Sequence, residues 1–493
     1  MPRLKYASVL RVLVILGLFC LWVQIMLSAS NGAMDREAEE LMNSNDTSQQ
    51  VLALVPPELH KYLTVHPRNA SGNATERSGP KNITDIKKAI HRYNAAQTIY
   101  NEDIYGPVQN DTIIIVIQVH TRLSYLRHLI VSLAQAKDID RTLVVFSHDY
   151  YDEEINNLVK SIDFTKVMQI FYPYSIQTHP NEFPGVDPND CPRDAKLEQA
   201  RKLKCNNALH PDSHGHYREA KYTQTKHHWW WKANRVFNQL QCTAGHTGMV
   251  VFLEEDHYVA EDFIHMLYLL RATADKSCPH CEILCLGTYL KTYQYHLTGD
   301  KRKKQLNLSY IQQVRAANEE RRRRQMETQA WNYQVYPNLY SNTQKVEITP
   351  WHSSMHNMGM VFNRTVWNDI VALQEQFCAY DDYNWDYSLL HLSQNRPGRE
   401  KFKVILCKGM SCLVSCKSNC NASTVISKVQ RLLQNAKRHL YPARVAATVT
   451  AGGAKHNKRL TKGNGGWGDV RDQELCANMT RVGRESRVFS YFA

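Results

Sequence analysis

The stretch TIIIVIQVHTR, residues 112–122, decides the fold. Its first eight residues are almost all β-branched and apolar, which is typical of a strand that is buried on both faces of a sheet. Apolar residues then recur at positions 123, 126, 129, 130 and 133, the spacing of one helix face. The stretch therefore predicts a central strand followed by a helix that packs on the sheet.

The same alternation of strand and helix continues along the chain. Further strands are predicted at RTLVVFSHD (141–149), VMQIFYPYS (167–175), GMVVFLEEDH (248–257) and EILCLGTY (282–289), and helices at 150–162 and 263–273. This order predicts an α/β domain with a mostly parallel sheet. Because ligands of such sheets lie beyond the carboxyl ends of the strands, the polar ends QVHTR, SHD and EEDH are the first candidates for a site.

The net charge of +13 over 493 residues first suggests a nucleic-acid partner. The charge is concentrated, however: residues 300–324 hold nine basic and three acidic side chains, and Arg3, Lys5 and Arg11 precede an apolar segment. The rest of the chain is only mildly basic, so no nucleic-acid partner is predicted. The hydrophobic fraction of 43% and the charged fraction of 22% exclude a disordered chain and a polytopic membrane protein. No GxGxxG or Walker A loop supports a dinucleotide or P-loop site.

Residues 12–29 are uncharged and apolar over a length that can cross a bilayer as a helix. Basic residues precede them, so we predict a transmembrane signal-anchor with residues 1–11 in the cytosol and the rest of the chain in the lumen. A signal peptide cleaved near Ala29 is the competing interpretation. The polar residues 30–105 are predicted to form a luminal stem and residues 106–493 the catalytic domain, with a basic insertion at 298–329.

Two further features agree with a luminal location. Nine Asn-x-Ser/Thr sequons occur, beginning at Asn45, Asn69, Asn73, Asn82, Asn110, Asn307, Asn363, Asn421 and Asn478. Twelve of the thirteen cysteines follow the apolar segment, several at short spacing, and in an oxidising lumen they predict disulfides. Zinc is the less favoured interpretation, because no second cysteine pair lies at finger spacing.

Glu254, Glu255 and Asp256 follow the apolar run MVVFL directly. Adjacent carboxylates repel one another, and a bound cation relieves that repulsion. Carboxylate oxygens suit Mn²⁺ or Mg²⁺, which can hold a diphosphate. A solvated acidic turn is the alternative, but the buried strand fixes this cluster at a sheet edge, so we predict a metal site.

Two more blocks combine hydrogen-bond donors, acids and aromatic rings. QTKHHWWWKANRVF (224–237) places lysine and histidine before three tryptophans, which suits an anionic nucleotide or a sugar, although at least one tryptophan is expected in the core. CAYDDYNWDY (378–387) alternates Asp381, Asp382 and Asp386 with aromatic residues, which suits sugar stacking and a general base. The same residues are compatible with a capped, acidic helix start.

Seven blocks in order resemble the N-acetylglucosaminyltransferase II family over residues 106–476: QVHTR, SHD, QTKHHWWWK, FLEEDH, HNMG (356–359), FCAYDDYNWDY and GGWGDVRDQELC (465–476). The resemblance implies a GT-A fold, a UDP-GlcNAc donor, Mn²⁺ and a single-pass type II protein of the Golgi membrane. It also implies an inverting transfer of GlcNAc in β-1,2 linkage to the α-1,6-linked mannose of an N-glycan acceptor on glycoproteins. The sequence leaves a homodimer open.

The resemblance also assigns roles to residues. Asp386, in the Asn-Trp-Asp triplet, is implied to be the catalytic base and Asp256 the metal ligand. The implied donor site contains Gln118, Val119, His120, Thr121, Arg122, Asp149, Gln224, Thr225, Lys226, His227 and His228. The implied disulfides are Cys191–Cys205, Cys278–Cys281, Cys378–Cys476 and Cys412–Cys420.

Two positions depart from the family pattern. The family's second metal ligand, a histidine, falls on Lys408, and a donor-binding arginine falls on Tyr293. A protonated lysine cannot ligate Mn²⁺. The chain is therefore either an active enzyme whose metal shell is completed by another group, or a weakened or non-catalytic Golgi relative that binds glycans. An N-acetylglucosaminyltransferase I-like enzyme is a further interpretation, and an altered splice form around residues 395–420 would also explain the lysine.

Overall fold

The structure is a computed structural model that describes residues 47–64, 82–287, 345–407 without 354, 413–415, 426–450 without 428, 432, 435 and 436, then 460 and 462–481. The predicted cytosolic tail, membrane anchor and basic insertion lie outside these residues, as do Tyr293, Lys408 and the Cys412–Cys420 pair. Among the residues that are described, no helix combines the length and the hydropathy that a membrane span requires.

A mixed sheet of ten strands forms the centre of the molecule, in the order β1-β4-β3-β2-β5-β9-β7-β10-β8-β12, and β6 pairs with β11 in a small second sheet. The strands are β1 Ile99–Tyr100, β2 Ile114–Val119, β3 Leu143–His148, β4 Lys166–Phe171, β5 Val250–Glu254, β6 His257–Val259, β7 Cys281–Cys285, β8 Lys345–Pro350, β9 Met360–Phe362, β10 Lys403–Cys407, β11 Leu413–Ser415 and β12 Ala446–Val449.

Helices cover both faces of the sheet. The α-helices are α1 Thr47–Leu54, α2 His60–Leu63, α3 Ile83–Ala96, α4 Glu102–Tyr105, α5 Leu123–Ala134, α6 Glu153–Lys160, α7 Leu197–Leu203, α8 Ala220–Asn234, α9 Phe263–Ser277, α10 Arg364–Ala372, α11 Gln374–Ala379, α12 Trp385–Gln394 and α13 Val470–Arg481. Short 3₁₀ turns span Pro57–Leu59, Ile139–Arg141, Gln241–Thr243 and Lys437–His439, and a π-turn, Arg235–Gln239, continues α8.

Strand β2 is buried on both faces, as its sequence predicts. Ile115 and Ile117 pack in the core that contains the apolar faces of α5, α6 and α9. Ile114 and Val116 point to the other side, into the core that contains α8, α10, α12 and α13. Because side chains alternate along a strand, a continuous apolar run is what this position requires. The predicted α/β domain is therefore confirmed.

The sheet is less parallel than the sequence predicts. β2, β3, β4 and β5 are parallel to one another, but β1 runs antiparallel to β4, β9 runs antiparallel between β5 and β7, and β8 runs antiparallel to β10. β9 is only three residues long, Met360–Phe362, so the sequence pattern does not reveal it as a strand of this sheet. The antiparallel direction of β9 carries the HNMG block to the end of the sheet where β5 finishes.

Parts of the predicted stem pack on the body of the molecule. β1 extends the main sheet by pairing with β4, Ile99 opposite Met168. Further towards the N-terminus, the hydroxyl of Tyr62 donates to Asp163 at 2.6 Å and Arg127 donates to the carbonyl oxygen of Tyr62 at 2.8 Å. The folded part of the chain therefore begins before residue 106, the predicted start of the catalytic domain.

Three of the four implied cysteine pairs are disulfide-bonded: Cys191–Cys205, Cys278–Cys281 and Cys378–Cys476. Cys378–Cys476 has a sequence separation of 98 residues and joins α11 to α13. A cross-link over so long a segment restricts the unfolded chain strongly.

Replacing both Cys378 and Cys476 by serine is expected to lower the free energy of unfolding by about 2–5 kcal/mol, because the unfolded chain regains the entropy of a long loop. Urea denaturation measures the change. Cys242→Ser is the control, since this half-buried thiol lies outside the disulfides, and its midpoint should stay close to that of the wild type. Equal midpoints in the double variant and the wild type would show that the bridge does not stabilise the fold.

Candidate active site

The carboxyl ends of β2, β3 and β5 meet at one edge of the sheet. β3 and β4 extend the sheet on one side of β2, whereas β5 lies on the other side, so the direction of winding changes beside β2. Open α/β sheets bind ligands outside such a switch point. The blocks QVHTR, SHD and EEDH, which follow these three strands, therefore lie together where a ligand is expected.

Asp149, directly after β3, is the buried centre of this edge. Its carboxylate accepts a hydrogen bond from Nδ1 of His120 at 2.6 Å and from Nε2 of Gln224 at 3.1 Å, and Nδ1 of His228 lies 3.5 Å away. Burial opposes ionisation of Asp149, but the two histidines outweigh it and hold the pKa of this carboxyl below its ordinary value. The hydrogen bond to Asp149 in turn raises the pKa of His120. The hydrogen bond therefore favours the protonated form of this half-exposed imidazole.

Glu255 connects the QVHTR turn to the acidic cluster through buried hydrogen bonds. Its carboxylate accepts the main-chain N–H of His120 at 2.8 Å and Nε of Arg122 at 2.7 Å, and it is only 1% exposed. The same guanidinium donates to Asp256 from Nη1 at 3.2 Å. Burial is the largest influence on Glu255 and raises its pKa despite the arginine. Glu255 thus fixes the position of Arg122, and this arginine also contacts the largely buried Asp256.

One face of α8 completes this network. Gln224, His228 and Lys232 lie four residues apart and therefore point in the same direction. Gln224 and His228 reach Asp149, and Nζ of Lys232 donates to Oε1 of Gln118 at 2.6 Å. Burial lowers the pKa of Lys232 to about 7. Lys232 is not among the predicted donor-site residues, although its spacing from His228 is visible in the sequence.

Lys226 and His227 point away from this network. Nζ of Lys226 donates to the carbonyl oxygens of Tyr380 and Asp382, at 3.1 and 3.0 Å. Nε2 of His227 lies 2.9 Å from Asp472, at the start of α13. Both side chains are fully buried. The structure therefore does not bring these two predicted donor-site residues to the edge of the sheet.

Three predicted donor-site residues, Val119, Thr121 and Thr225, take their positions from the strand, turn or helix to which they belong. Val119 is buried at the end of β2, and its carbonyl oxygen accepts the N–H of Asp149 at 3.2 Å. Thr121 is exposed in the turn between β2 and α5, so it lies at the edge itself. Thr225 is exposed on α8.

The acidic cluster fits a divalent cation. One ligand atom each of Glu254, Asp256 and His257 lies within 4.8 Å of the others. Oδ1 of Asp256 is buried and has no hydrogen-bond partner in the described part of the chain, and a cation would satisfy it. Nδ1 of His257 accepts the main-chain N–H of Glu254 at 3.2 Å, so this ring nitrogen already has a partner. The two carboxylates are thus the groups that suit Mn²⁺ or Mg²⁺.

Asp386 reaches the same edge through β9. Met360 of β9 pairs with Phe252 of the antiparallel β5, so the residues before β9 leave the sheet where β5 ends. One of them is Asn357, whose Nδ2 donates to Oδ2 of Asp386 at 3.0 Å. The other oxygen of Asp386 accepts the main-chain N–H of Tyr387 at 3.0 Å. The carboxylate is therefore oriented by the HNMG block at the edge that carries the acidic cluster.

A family model described as N-acetylglucosaminyltransferase II (MGAT2) matches residues 87–320 and 306–476. The chain belongs to the N-acetylglucosaminyltransferase II family. The resemblance drawn from the seven sequence blocks is thereby confirmed, and the matched ranges include all three strand ends, α8 and Asp386.

Curated relatives agree with this assignment. The alpha-1,6-mannosyl-glycoprotein 2-beta-N-acetylglucosaminyltransferase of Rattus norvegicus is 35% identical over 467 residues, which cover 90% of this chain and 95% of that protein. The Homo sapiens protein of the same name is 36% identical over 403 residues, 80% of this chain and 79% of that protein. The Arabidopsis thaliana protein is 30% identical over 413 residues, 80% of this chain and 81% of that protein.

Likeness to solved structures is weaker. The crystal structure of S. aureus TarS 1-349 gives a TM-score of 0.27 at 9% identity and covers 76% of this chain and 72% of that chain. Membership of the N-acetylglucosaminyltransferase II family rests on the sequence comparisons.

The pair of His120 and Asp149 predicts a pH dependence. Folding raises the pKa of His120, so the stabilisation from this residue is complete below about pH 6.5 and is lost as the pH rises through the pKa of the folded state. Folding lowers the pKa of Asp149, so the stabilisation from this residue is lost as the pH falls through its folded pKa. Asp149→Asn is expected to lower the pKa of His120, which NMR titration of the imidazole measures. Asp163→Asn, which contacts Tyr62 instead, should leave it unchanged. An identical His120 pKa in wild type and Asp149→Asn would refute the pairing.

Proposed function

We propose that this chain transfers GlcNAc from UDP-GlcNAc in β-1,2 linkage to the α-1,6-linked mannose of N-glycans on glycoproteins. The observation that carries the proposal is the hydrogen bond between Asn357 and Asp386. It holds a carboxylate base at the sheet edge where Asp256 offers an oxygen that lacks a partner among the described residues. The rat and human relatives are named alpha-1,6-mannosyl-glycoprotein 2-beta-N-acetylglucosaminyltransferase, which agrees with the proposed linkage and acceptor.

The cationic side chains of the edge suit a nucleotide diphosphate. His120 and Arg122 are each about half exposed. The buried Asp149 holds His120, and the buried Glu255 holds Arg122. A fixed guanidinium favours phosphate oxygens, because charge-assisted hydrogen bonds are stronger than neutral ones, and the raised pKa of His120 favours the form of the imidazole that donates from both ring nitrogens. Gln118, Gln224 and His228 orient this layer and complete the proposed donor site.

Asp256 and Glu254 would hold Mn²⁺ beside these cations. The buried Oδ1 of Asp256 has no other partner among the described residues and lies in the cluster with Glu254. When bound, the ion would neutralise negative charge on the departing UDP. Arg122, which already contacts Asp256, stands next to the same position and adds a second positive charge.

Asp386 is the proposed general base. Hydrogen bonds from Asn357 and from its own helix N-terminus stabilise the ionised carboxylate and fix its orientation. The carboxylate takes the proton of the mannose 2-hydroxyl while that oxygen attacks the anomeric carbon, and the bond from that carbon to UDP breaks on the opposite face. The α configuration of the donor becomes β in the product, and no covalent intermediate with the protein forms.

We further infer a GT-A arrangement and a type II location in the Golgi membrane, with the described body in the lumen. The apolar residues 12–29 and the basic residues before them support this topology. Three disulfides support an oxidising compartment.

Asp386→Asn is expected to lower kcat by about 10²- to 10⁴-fold, because an amide cannot accept the proton of the hydroxyl. The luminal part of the chain is assayed with UDP-GlcNAc and a mannose-terminated N-glycan, and NMR of the product checks the β-1,2 linkage. Asp275→Asn, a change in an exposed ion pair with Arg271, serves as the matched control and should keep the wild-type rate. Full turnover by Asp386→Asn would remove this residue as the base, and no transfer by the wild type would favour a glycan-binding relative.

Asp256→Asn is expected to weaken Mn²⁺ binding at least about tenfold, since it removes the charged ligand atom that lacks another partner in the described part of the chain. Titration of the protein with Mn²⁺, followed by electron paramagnetic resonance, measures the affinity without turnover. Asp262→Asn is a suitable control, because this buried acid also has an oxygen without a partner among the described residues but does not belong to the cluster of metal-ligating side chains found there. Unchanged Mn²⁺ affinity in Asp256→Asn would place the metal elsewhere.

A further inference from the structure

The Lys226 ammonium is buried without a carboxylate in hydrogen-bonding contact among the described residues. Nζ donates to two main-chain carbonyl oxygens, those of Tyr380 and Asp382, and lies 4.0 Å from the centre of the Trp467 ring. Asp382, Asp381 and Asp472 act on it only at longer range, and burial lowers the pKa of Lys226 to about 7. A charge is expensive to bury in this way, so its contacts with one short loop call for an explanation.

That loop, residues 380–384, joins α11 to α12 and is held by hydrogen bonds to several other segments of the chain. The carboxylate of Asp382 accepts the main-chain N–H groups of Asn384 and Asn464, both at 2.9 Å. The carboxylate of Asp381 accepts the N–H groups of Ser213, at 2.5 Å, and Trp467, at 3.0 Å. Asp381 and Asp382 therefore hold the loop in place, whereas Asp386 accepts a hydrogen bond from Asn357 of the HNMG block.

Helix α8 contacts the region on both sides of the turn into α12. Lys226 holds the loop through Tyr380 and Asp382, and three residues further along α8 the Trp229 ring stacks on Trp385 at 4.4 Å and an angle of 4°. Trp385 is the residue directly before Asp386. The opposite face of the same helix carries Gln224, His228 and Lys232, which contact the proposed donor site. α8 is therefore the rigid element shared by the donor side and the base.

We propose that Lys226 is a positioning residue, which fixes the 380–384 loop to α8 and thereby sets the distance of Asp386 from the donor site. The inference rests on the proposed function, because it concerns the base of that reaction. It differs from the role in donor binding that the resemblance implies for Lys226. A displacement of about 1 Å in a catalytic group can cost about 10²-fold in rate while substrate binding is preserved.

The chain offers a matched control for this residue. Lys166, at the start of β4, is also a buried lysine whose Nζ donates to two main-chain carbonyl oxygens, those of Tyr105 and Asp140, at 3.3 and 3.4 Å. It lies at the end of β4 opposite to the carboxyl edge. Lys166→Met and Lys226→Met therefore remove the same chemistry, one far from the site and one beside the loop.

The test compares these two variants with wild type and Asp386→Asn in steady-state kinetics. Lys226→Met is expected to lower kcat of transfer by about 10²-fold while the KM for UDP-GlcNAc and the slow hydrolysis of UDP-GlcNAc without acceptor stay within about twofold. Lys166→Met is expected to keep both kcat and KM. If Lys226→Met does not fold, Asp382→Asn loosens the same loop and should give the same pattern.

The outcomes separate the two proposals. A raised KM for UDP-GlcNAc with unchanged kcat in Lys226→Met would overturn the positioning role and return Lys226 to donor binding. Unchanged kcat and KM would overturn it as well, and so would an equal loss of kcat in Lys166→Met, because that pattern reports general destabilisation. Full activity of Asp386→Asn would instead contradict the proposed function, whatever Lys226→Met does.

Discussion

Helix α8 is buried on nearly every side, with twelve of its fifteen residues inside the protein. Because buried polar groups are costly unless they are paired, each polar side chain of this helix must find a partner in another element. Gln224, His228 and Lys232 find theirs at the strand ends, Lys226 in the 380–384 loop, and His227 at Asp472 in α13. The positions of the strand-end network, the loop before Asp386 and the C-terminal helix all depend on this one helix.

Electrostatic balance explains why the acidic edge is stable. Asp149 and Glu255 are buried, and each has cationic or N–H partners within 3.2 Å, so neither carries an isolated charge. Asp256 keeps one buried oxygen without such a partner among the described residues. The same arrangement that satisfies the buried acids thus leaves an oxygen of Asp256 that a bound cation would satisfy, and Arg122 contacts the same carboxylate.

Local patterns in the sequence predicted the sheet and its edge. The apolar run of β2 and the polar residues after β2, β3 and β5 follow one another in the chain, so a short window of sequence contains the signal. The site beyond them depends on distant pairing. The sequence around Asp386 does not show that β9 runs antiparallel to β5 and brings Asn357 to Asp386. Likewise, the sequence around Lys226 does not indicate that its ammonium group contacts the carbonyl oxygen of Tyr380. The helical phase of α8 could have separated Lys226 from Gln224, since the two lie on opposite faces.

A crystal structure of the chain with UDP and Mn²⁺ tests most directly whether the strand ends and Asp386 form one site. We expect a cation bound to Oδ1 of Asp256, the diphosphate within hydrogen-bonding distance of Arg122 or His120, and an open space for the acceptor hydroxyl at Asp386. A nucleotide bound away from this edge, with Asp256 free of the cation, would contradict the proposed site.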